Sequence, residues 1–567
     1  MGDGHERDLP VPLADGTVGF ADRWSGGPGR RPVVLVRSPY GRRFPWSLLY
    51  AVPFTRAGLH VVIASVRGTS GRGDAPAQPF TCEAADGAAT VAWLRRQPWF
   101  DGRLATIGLS YLGYAAWALA ADPPPELRAV VAQVAPHDLG PTVWPGGAFS
   151  LADSLGWAQL VAGPGRQVGI AAALGARGRR RRLEGALRPG AGGGPAGGRP
   201  LRDAATALTG RPVPWWPGWV ANPPPSPHWT AYDQGRALDA VRVPVLVQAG
   251  WHDLFRRAGI EQHGALTARG VPVALTVGDF THRGVVTRWW PLIREATAFV
   301  GEALEGAVPA GVGTVRTAVV GGRRRRVWPS WPPPGSTGRP LVLGPAGTLT
   351  APASGGPRWS PPPVGDHRRA FHLPATSPPA PAAAALATFR FDPAHPTPSV
   401  GGPVLGPDAG PARQEALEAR ADVAVFTGPP LPCALEVAGT VRATVEVDAD
   451  GPHHVVVRCC DVDRRGRSRH VCDGVVVAPA GRAVVEVDLG PIAARWRAGH
   501  RVRVQVAGGA HPRFAAHPGT DEPLADATTG RPVVVRVLGG RLTLPALDGA
   551  GIGAGSGGDT GDGGERT

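Results

Sequence analysis

Residues 104–113, with the sequence LATIGLSYLG, decide which fold the chain adopts. The first six are mostly apolar, as in a buried β-strand, and a helical pattern begins at Tyr111. Ser110 therefore stands between two glycines at a junction from strand to helix. Such a junction is the setting of a nucleophile elbow, a sharp turn that exposes a serine at the amino terminus of a helix. Taken alone, a serine between glycines is also typical of an ordinary turn.

Strands and helices alternate on both sides of this stretch. Apolar runs predict strands at 33–36, 61–66, 104–109, 129–134, 243–248 and 271–277, and helical spacing predicts helices at 86–96, 111–121 and 289–304. This alternation indicates an α/β fold with a parallel sheet covered on both faces. We assign residues 1–139 and 236–311 to this domain.

The remaining sequence follows two other patterns. Residues 140–235 are rich in tryptophan and include an Arg/Gly-rich segment around 174–200, which predicts an inserted helical cap with a mobile loop. From 312 to 548, apolar and polar residues alternate with period two, as in Val441–Asp448, which predicts an all-β, jelly-roll-like sandwich. Residues 549–567 have the composition of a disordered Gly-rich tail.

The charge balance is strongly basic. The 567 residues include 60 basic and 45 acidic side chains, for a formal charge of +15. The basic residues counted here are all arginines, a bias typical of GC-rich coding sequences. They are scattered, apart from the runs Arg179–Arg182 and Arg323–Arg326. We therefore attribute the charge to a solvated basic surface and expect no nucleic-acid partner.

The cysteines and the apolar runs limit which cofactors and which cellular compartment we expect. The five cysteines have no C-x-x-C spacing, which argues against a structural zinc site and against a disulfide framework. The chain opens without a signal-peptide pattern, and no run approaches the roughly 18 apolar residues of a membrane span. We expect a cytoplasmic protein without a membrane contact, metal or organic cofactor, and a homodimer is one state to consider.

Two further residues complete a catalytic pattern with Ser110. Asp253 follows a predicted strand in GWHD, and His282 follows the next strand in GDFTH. Each alone could be an ordinary polar loop residue. However, serine, acid and histidine follow in the order of a nucleophile-elbow enzyme, and all three stand at carboxyl ends of strands, where open parallel sheets bind their ligands. The sequence therefore predicts a Ser–Asp–His triad.

An oxyanion needs hydrogen-bond donors beside the nucleophile. The backbone N–H of Tyr111, directly after Ser110, is the expected first donor. The hydroxyl of Tyr40, which follows the strand at 33–36 in RSPYGR, is a candidate for the second donor. The alternative for Tyr40 is a buried aromatic residue with a satisfied hydroxyl.

These motifs together resemble one family. RSPYGR, SVRGTSGRGD, GLSYLG, GWHD and CDGVVV occur in the order found in the cocaine esterase-like (CocE/NonD-type) α/β-hydrolases, which are related to the X-prolyl dipeptidyl-peptidases. The resemblance implies an α/β-hydrolase domain, a helical cap and a carboxyl-terminal jelly roll. It also implies that Ser110, Asp253 and His282 are nucleophile, acid and base, and that Tyr40 and Tyr111 form the oxyanion hole.

The same resemblance suggests a substrate pocket. Trp157 and Phe255 match aromatic positions that line the acyl pocket, and we place Trp251 with them, although a core role is an equal alternative. Two departures stand out. The segment ADGTVGFADRWSGG at the amino terminus lacks the usual apolar strand pattern, and Leu254-Phe-Arg-Arg257 lacks the acidic residues that would bind a substrate ammonium there.

The predicted activity is that of a serine esterase that cleaves small carboxylic esters through an acyl-enzyme. The nearest alternative is an X-Pro dipeptidyl-peptidase, which would need an acidic clamp from the cap, where Asp153, Glu184, Asp203 and Asp233 are available. A third alternative is a non-catalytic ligand-binding protein.

Overall fold

The computed structural model describes residues 4–69, 78–162, 177–188, 194–195, 198–352 and 384–547. The predicted Gly-rich tail lies outside these residues, as does much of the Arg/Gly-rich segment of the cap.

The first sheet carries the serine turn. Within the described residues it has ten strands: β1 (His5–Pro12), β2 (Val18–Trp24), β3 (Arg31–Ser38), β4 (His60–Ser65), β5 (Phe100–Leu109), β6 (Leu127–Gln133), β7 (Val245–His252), β8 (Val273–Thr281), β9 (Val315–Thr317) and β10 (Arg326–Trp328). Their spatial order is β1-β2-β4-β3-β5-β6-β7-β8-β9-β10. Strands β4 to β9 in this order are parallel, and β1, β2 and β10 pair in antiparallel fashion at the two edges.

Helices cover both faces of this sheet. Along β3, Val34 packs in a cluster with Phe299, whereas its neighbour Leu35 packs on the other face with Leu94. Both faces of the strand are therefore apolar, as expected for a buried parallel sheet. The α-helices of the described chain are Val52–Arg56, Glu83–Leu94, Tyr111–Ala120, Gly140–Val143, Leu151–Ala162, Arg177–Ala186, Ala204–Thr209, Trp216–Ala221, Arg236–Ala240, Arg256–Ala268, Trp289–Leu304 and Glu415–Glu418.

The second sheet forms the carboxyl-terminal domain. Its strands are β11 (Ser336–Gly344), β12 (Thr348–Thr350), β13 (Ala387–Phe391), β14 (Val423–Thr427), β15 (Leu435–Ala449), β16 (His453–Val462), β17 (Ser468–Ala478), β18 (Gly481–Trp496), β19 (Arg501–Ala507) and β20 (Val533–Leu547). The path runs β17-β16-β19-β14-β12-β11-β20-β15-β18, with β13 paired to β20. The two ends of this path also meet, because a Cβ at Gly474 of β17 would overlap the carbonyl of Asp488 in β18. The sheet therefore folds back into a two-layer sandwich.

This architecture confirms the predicted fold class: an α/β-hydrolase domain, a helical cap inserted between β6 and β7, and an all-β domain after it. The first sheet extends past residue 312, the expected boundary, because β9 and β10 belong to it. The amino-terminal segment also forms strand β2, although it lacks an apolar run. Strand β2 lies near the edge of the sheet, between β1 and β4, and therefore needs fewer buried side chains than a central strand. Phe20, for example, is only half-buried.

No helix in the described ranges is long and apolar enough to cross a lipid bilayer.

The cap is fixed to the all-β domain by close backbone contacts. Gly146, in the turn Pro145–Gly147, has a φ of 58°, and a Cβ at this position would overlap the carbonyl oxygen of Val475. The N–H of Ala152 donates to the carbonyl of Pro512 at 3.0 Å. The cap therefore depends on the all-β domain for its position.

Replacing Gly146 with alanine tests this contact. The new methyl group meets backbone and the φ is unfavourable for an L-residue, so we expect Gly146→Ala to lower the free energy of unfolding by at least about 1–3 kcal/mol. The matched control is Gly301→Ala, in the helix Trp289–Leu304, where a Cβ meets nothing within 4 Å. It should be neutral or stabilising by up to about 1 kcal/mol. Urea unfolding followed by tryptophan fluorescence measures both, and equal midpoints would refute the contact.

Candidate active site

Ser110 lies at a strained turn between β5 and the helix Tyr111–Ala120. Its backbone has φ 56° and ψ −124°, a region that non-glycine residues rarely occupy. The turn is held from both sides: the N–H of Ser110 donates to the carbonyl of Gln133 at 2.9 Å, and its carbonyl accepts from the N–H groups of Gly113 and Tyr114 at 3.0 Å each. The surrounding backbone thus enforces a conformation that Ser110 would not adopt alone.

The two flanking glycines allow this turn to close. A Cβ on Gly108 would overlap the carbonyl of Leu112, and a Cβ on Gly113 would overlap the Cβ of Ala135 and lie 2.7 Å from the carbonyl oxygen of Gly108. Gly113, three residues after Ser110 in the first turn of the helix, therefore allows the helix and the strand to cross closely. Both positions need the absence of a side chain rather than a special φ.

The structure brings the three predicted triad residues together. Nδ1 of His282 lies 2.5 Å from Oδ2 of Asp253, and Nε2 of His282 lies 3.2 Å from Oγ of Ser110. Asp253 is fully buried and its Oδ1 accepts a hydrogen bond from the N–H of Phe255 at 2.6 Å. The carboxylate is thereby fixed in orientation, and it in turn fixes the imidazole ring so that Nε2 faces the serine.

Tyr111 follows Ser110 directly, and the ring of Tyr40 lies 6.4 Å from the ring of Tyr111, edge to face. The indole N–H of Trp157 donates to the hydroxyl oxygen of Tyr40 at 3.0 Å. Since an indole nitrogen is only a donor, Tyr40 accepts here and its own proton stays available for another acceptor. Burial raises the pKa of Tyr40 to about 12. Tyr111 opens its helix, so its N–H has no acceptor within that helix.

Aromatic rings form a wall next to these donors. Phe80 stacks on Tyr111 with ring centroids 4.0 Å apart and lies 5.1 Å from the ring of Trp157. Trp157 stacks in turn on Trp219, 5.6 Å away. Sequence reasoning missed Phe80, whose φ of 70° marks a tight turn that no local pattern reveals.

A second residue that the sequence did not indicate is Glu83. Its carboxylate accepts a hydrogen bond from the hydroxyl of Tyr111, and that hydroxyl accepts from the N–H of Phe80 at 2.8 Å. Burial raises the pKa of Glu83, which is only 2% exposed. The guanidinium of Arg37 donates to the Glu83 carbonyl. This network holds the side chain of the residue that follows the nucleophile.

The predicted pocket residues occupy different places. Trp157 lies in the aromatic wall, and the ring of Phe255 meets that of His282 edge to face at 5.4 Å. Trp251 does not join them: it is fully buried, donates to the carbonyl of Ala318 at 2.7 Å and packs on Trp331. We therefore correct its assignment from pocket to core.

The residues after the acid fasten the two domains together. The guanidinium of Arg256 donates to the carbonyl of Leu489 at 2.7 Å, and Arg257 forms a salt bridge with Asp488 at 2.7 Å. Burial lowers the pKa of Arg256 to about 10. Both arginines thus bind to β18. Being positively charged, neither could bind the ammonium group of a substrate.

The fold and the geometry around Ser110 define a serine hydrolase of the α/β type. Residues 26–284 match the X-Pro dipeptidyl-peptidase (S15) family, and residues 310–535 match the X-Pro dipeptidyl-peptidase C-terminal non-catalytic domain. The chain is 29% identical over 551 residues to the cocaine esterase of Rhodococcus sp. (strain MB1 Bresler), which covers 89% of this chain and 91% of that protein. The chain is thus a serine hydrolase that is similar to the cocaine esterase-like α/β-hydrolases, a group related to the X-Pro dipeptidyl-peptidases.

Solved structures share this fold. An aminopeptidase from a marine sediment archaeon (Thaumarchaeota archaeon) superimposes with a TM-score of 0.73 at 19% identity, covering 96% of this chain and 97% of that one. A CocE/NonD family hydrolase from Staphylococcus aureus gives a TM-score of 0.65 at 15% identity, with 96% and 94% covered. The match to the S15 family and the cocaine esterase relative together support a serine hydrolase, in place of the non-catalytic alternative.

Glu83 provides a test of the network behind Tyr111. We expect Glu83→Leu to lower the free energy of unfolding by about 1–3 kcal/mol, because the buried Tyr111 hydroxyl loses its acceptor. Glu83→Gln retains a side-chain oxygen that can accept the same bond, so its loss should be smaller. Thermal unfolding measures both variants, and a Glu83→Gln enzyme that is as unstable as Glu83→Leu would contradict the role of this hydrogen bond.

Proposed function

We propose that the enzyme hydrolyses small carboxylic esters through an acyl-enzyme formed on Ser110. The observation that carries the proposal is the chain of contacts from Ser110 Oγ through His282 to Asp253, at 3.2 and 2.5 Å. A serine hydroxyl is a weak nucleophile until a base removes its proton, and this geometry supplies the base and the group that orients it.

The first half of the reaction forms the acyl-enzyme. Oγ of Ser110 attacks the ester carbonyl carbon while Nε2 of His282 takes the hydroxyl proton. The carbonyl oxygen becomes an oxyanion, which the N–H of Tyr111 and the hydroxyl of Tyr40 stabilise. When the intermediate collapses, the bond to the leaving oxygen breaks and His282 delivers the proton to that oxygen, so that an alcohol leaves.

The second half releases the acid. A water molecule gives its proton to Nε2 of His282 and attacks the acyl carbon. The new oxyanion accepts hydrogen bonds from the same two donors. The bond to Ser110 Oγ then breaks, and His282 returns the proton to the serine. The Asp253 carboxylate stabilises the imidazolium that forms in each half.

The aromatic wall favours an apolar acyl group. Trp157 is only partly buried and its indole contacts the Tyr40 hydroxyl, with Phe80 and Trp219 packed behind it, and such an aromatic surface binds apolar or aromatic groups better than charged ones. The sequence around the acid supports the same conclusion, since Arg256 and Arg257 leave no acidic group there for a cationic substrate.

Loss of the nucleophile is the direct test. We expect Ser110→Ala to reduce hydrolysis of p-nitrophenyl acetate, butyrate and benzoate by at least about 10⁴-fold, because no acyl-enzyme can form. A fluorophosphonate probe should label the wild type at Ser110 and leave the variant unlabelled. Unchanged ester turnover in Ser110→Ala, measured as initial rates with purified protein, would overturn the mechanism.

Tyr40 predicts a particular pH dependence. A phenol is neutral below its pKa, and with a pKa of about 12 the Tyr40 hydroxyl remains a donor well above pH 10, where an ordinary tyrosine would lose its proton. We therefore expect no alkaline loss of kcat near pH 10 from this group. Tyr40→Phe should lower kcat by about 10²–10³-fold with less change in KM, as when one oxyanion donor is removed.

Tyr232→Phe is the matched control for Tyr40. It removes a buried hydroxyl from the same aromatic cluster and should change kcat by less than about twofold. If instead the wild type lost activity with a midpoint near pH 10 and Tyr40→Phe abolished that limb, Tyr40 would titrate as an ordinary tyrosine and the proposed donor role at high pH would be wrong.

One observation favours a second candidate activity, the release of X-Pro dipeptides. Asp153 of the cap is half-buried, and its charge interacts with His282 and Asp253, so a carboxyl group lies near the triad. Its Oδ1 already accepts from the N–H of Leu405 at 2.8 Å, and burial raises its pKa, which weakens it as an ammonium clamp. Cleavage of Gly-Pro-p-nitroanilide that disappears in Asp153→Asn while aryl ester hydrolysis persists would establish the peptidase activity.

A further inference from the structure

The arginine run Arg323–Arg326 plays no part in the proposed chemistry, yet the structure gives it a defined place. It follows β9 and leads into β10, at the edge of the first sheet that faces the all-β domain. Arg323, Arg324 and Arg325 are exposed, whereas Arg326 is half-buried. The run is therefore a surface feature at the junction of the two domains.

Backbone contacts hold the start of this run in place. The N–H of Val320 donates to the carbonyl of Ala493 at 2.9 Å, and the N–H of Arg495 donates to the carbonyl of Val320 at 2.8 Å. Gly321, at φ 77°, lies so close to β18 that a Cβ would be 2.7 Å from the carbonyl oxygen of Arg495. The segment is pinned to β18, so the arginines project from a fixed backbone.

Two cavities meet at these arginines. The first, of about 450 Å³, is lined by three residues of the run, Arg323, Arg324 and Arg325, and by two other arginines, Arg288 and Arg316. The second, of about 520 Å³, shares Arg323 and Arg324 with the first and adds Arg326, Arg495 and Arg497. We call the two adjoining cavities the arginine groove. Its walls come from β8, β9 and β18, so both domains contribute.

Few carboxylates offset this charge. The acidic residues that line the groove are Asp279, Glu295 and Glu436. Each is engaged: Glu295 with Arg316 at 3.0 Å, Glu436 with Arg326 at 3.1 Å, and Asp279 with His252 at 2.9 Å.

The remaining guanidinium groups are the unusual feature. Within the described part of the chain, no carboxylate lies within salt-bridge distance of Arg288, Arg323, Arg324, Arg325 or Arg495. The charge of Arg497 interacts with that of Asp461, which lies outside the groove. Like charges held close together on a fixed backbone repel one another, and a bound polyanion relieves that repulsion.

We propose that the arginine groove binds an anion that carries several phosphate groups in a row. A guanidinium presents parallel N–H donors that match two phosphate oxygens, and it keeps its charge at any physiological pH. Guanidiniums spread over two adjoining cavities suit a linear oligophosphate better than a single compact anion. The triad residues are absent from the lining of both cavities, so this site is separate from ester hydrolysis.

Binding of sodium tripolyphosphate to the full chain, measured by isothermal titration calorimetry in low-salt buffer, tests the proposal. We expect saturable binding of one equivalent to both the wild type and Ser110→Ala, weakened as the salt concentration rises. The triple variant Arg323→Gln, Arg324→Gln, Arg325→Gln should lose at least about tenfold in affinity. Ester hydrolysis by this variant reports that it is folded.

A charge-matched control separates a site from general basicity. The variant Arg96→Gln, Arg236→Gln, Arg465→Gln removes three exposed arginines that line neither cavity, so it should bind within about twofold of the wild type. Equal losses of affinity in the two triple variants, or no saturable binding to the wild type, would overturn the proposal.

Two further ligands identify the chemistry that is recognised. Citrate carries a similar charge on carboxylates, and binding as tight as that of tripolyphosphate would overturn the preference for phosphate. ATP, with adenosine as its control, distinguishes the two sources of an oligophosphate. Tighter binding of ATP than of tripolyphosphate would identify a nucleotide as the ligand, and weaker binding would identify a free polyphosphate chain; either result supports the groove as a phosphate site.

Discussion

The structure around the active site depends on one backbone constraint, the positive φ at Ser110. A turn of this kind costs of the order of 1–3 kcal/mol, so neighbouring contacts must hold it. They do so through the carbonyl of Gln133 in β6 and through the close crossing of Gly108 with Leu112. Because of that crossing, the helix after Ser110 starts directly above the sheet and aims its amino terminus at the site. The nucleophile, the helix dipole and the Tyr111 N–H are therefore positioned by the same turn.

The parallel sheet supplies the other two groups. Strands β7 and β8 run beside one another and end at the same edge as β5, so residues just beyond their ends meet above the sheet even though Ser110, Asp253 and His282 are far apart in sequence. That relation follows from topology alone, which is why the sequence could predict the three residues. The predicted strands also overlap the observed ones, because long apolar runs are typical of strands in a sheet covered on both faces.

Other parts of the site could not be predicted, because their roles arise only from tertiary contacts. In the sequence, Glu83 is an acidic residue in the first turn of a helix, which is common. Only the fold places the Tyr111 hydroxyl against it. Trp251 shows the opposite error: it precedes Asp253 by two residues but still belongs to β7, so its ring packs into the core. Strands β9 and β10 have three residues each, too few for a period-two pattern to show.

The Arg256 contact with Leu489 ties the acid of the active site to a late part of the chain. Arg256 follows Asp253 by three residues, whereas its acceptor is more than two hundred residues further on. During synthesis on a ribosome, the sheet with Ser110, Asp253 and His282 can emerge and begin to fold long before residue 489 exists. The loop that carries Asp253 reaches its final support only when the all-β domain has been made. Full assembly of the active site is thus a late event in the production of each molecule, and the order of the two domains along the chain sets its timing.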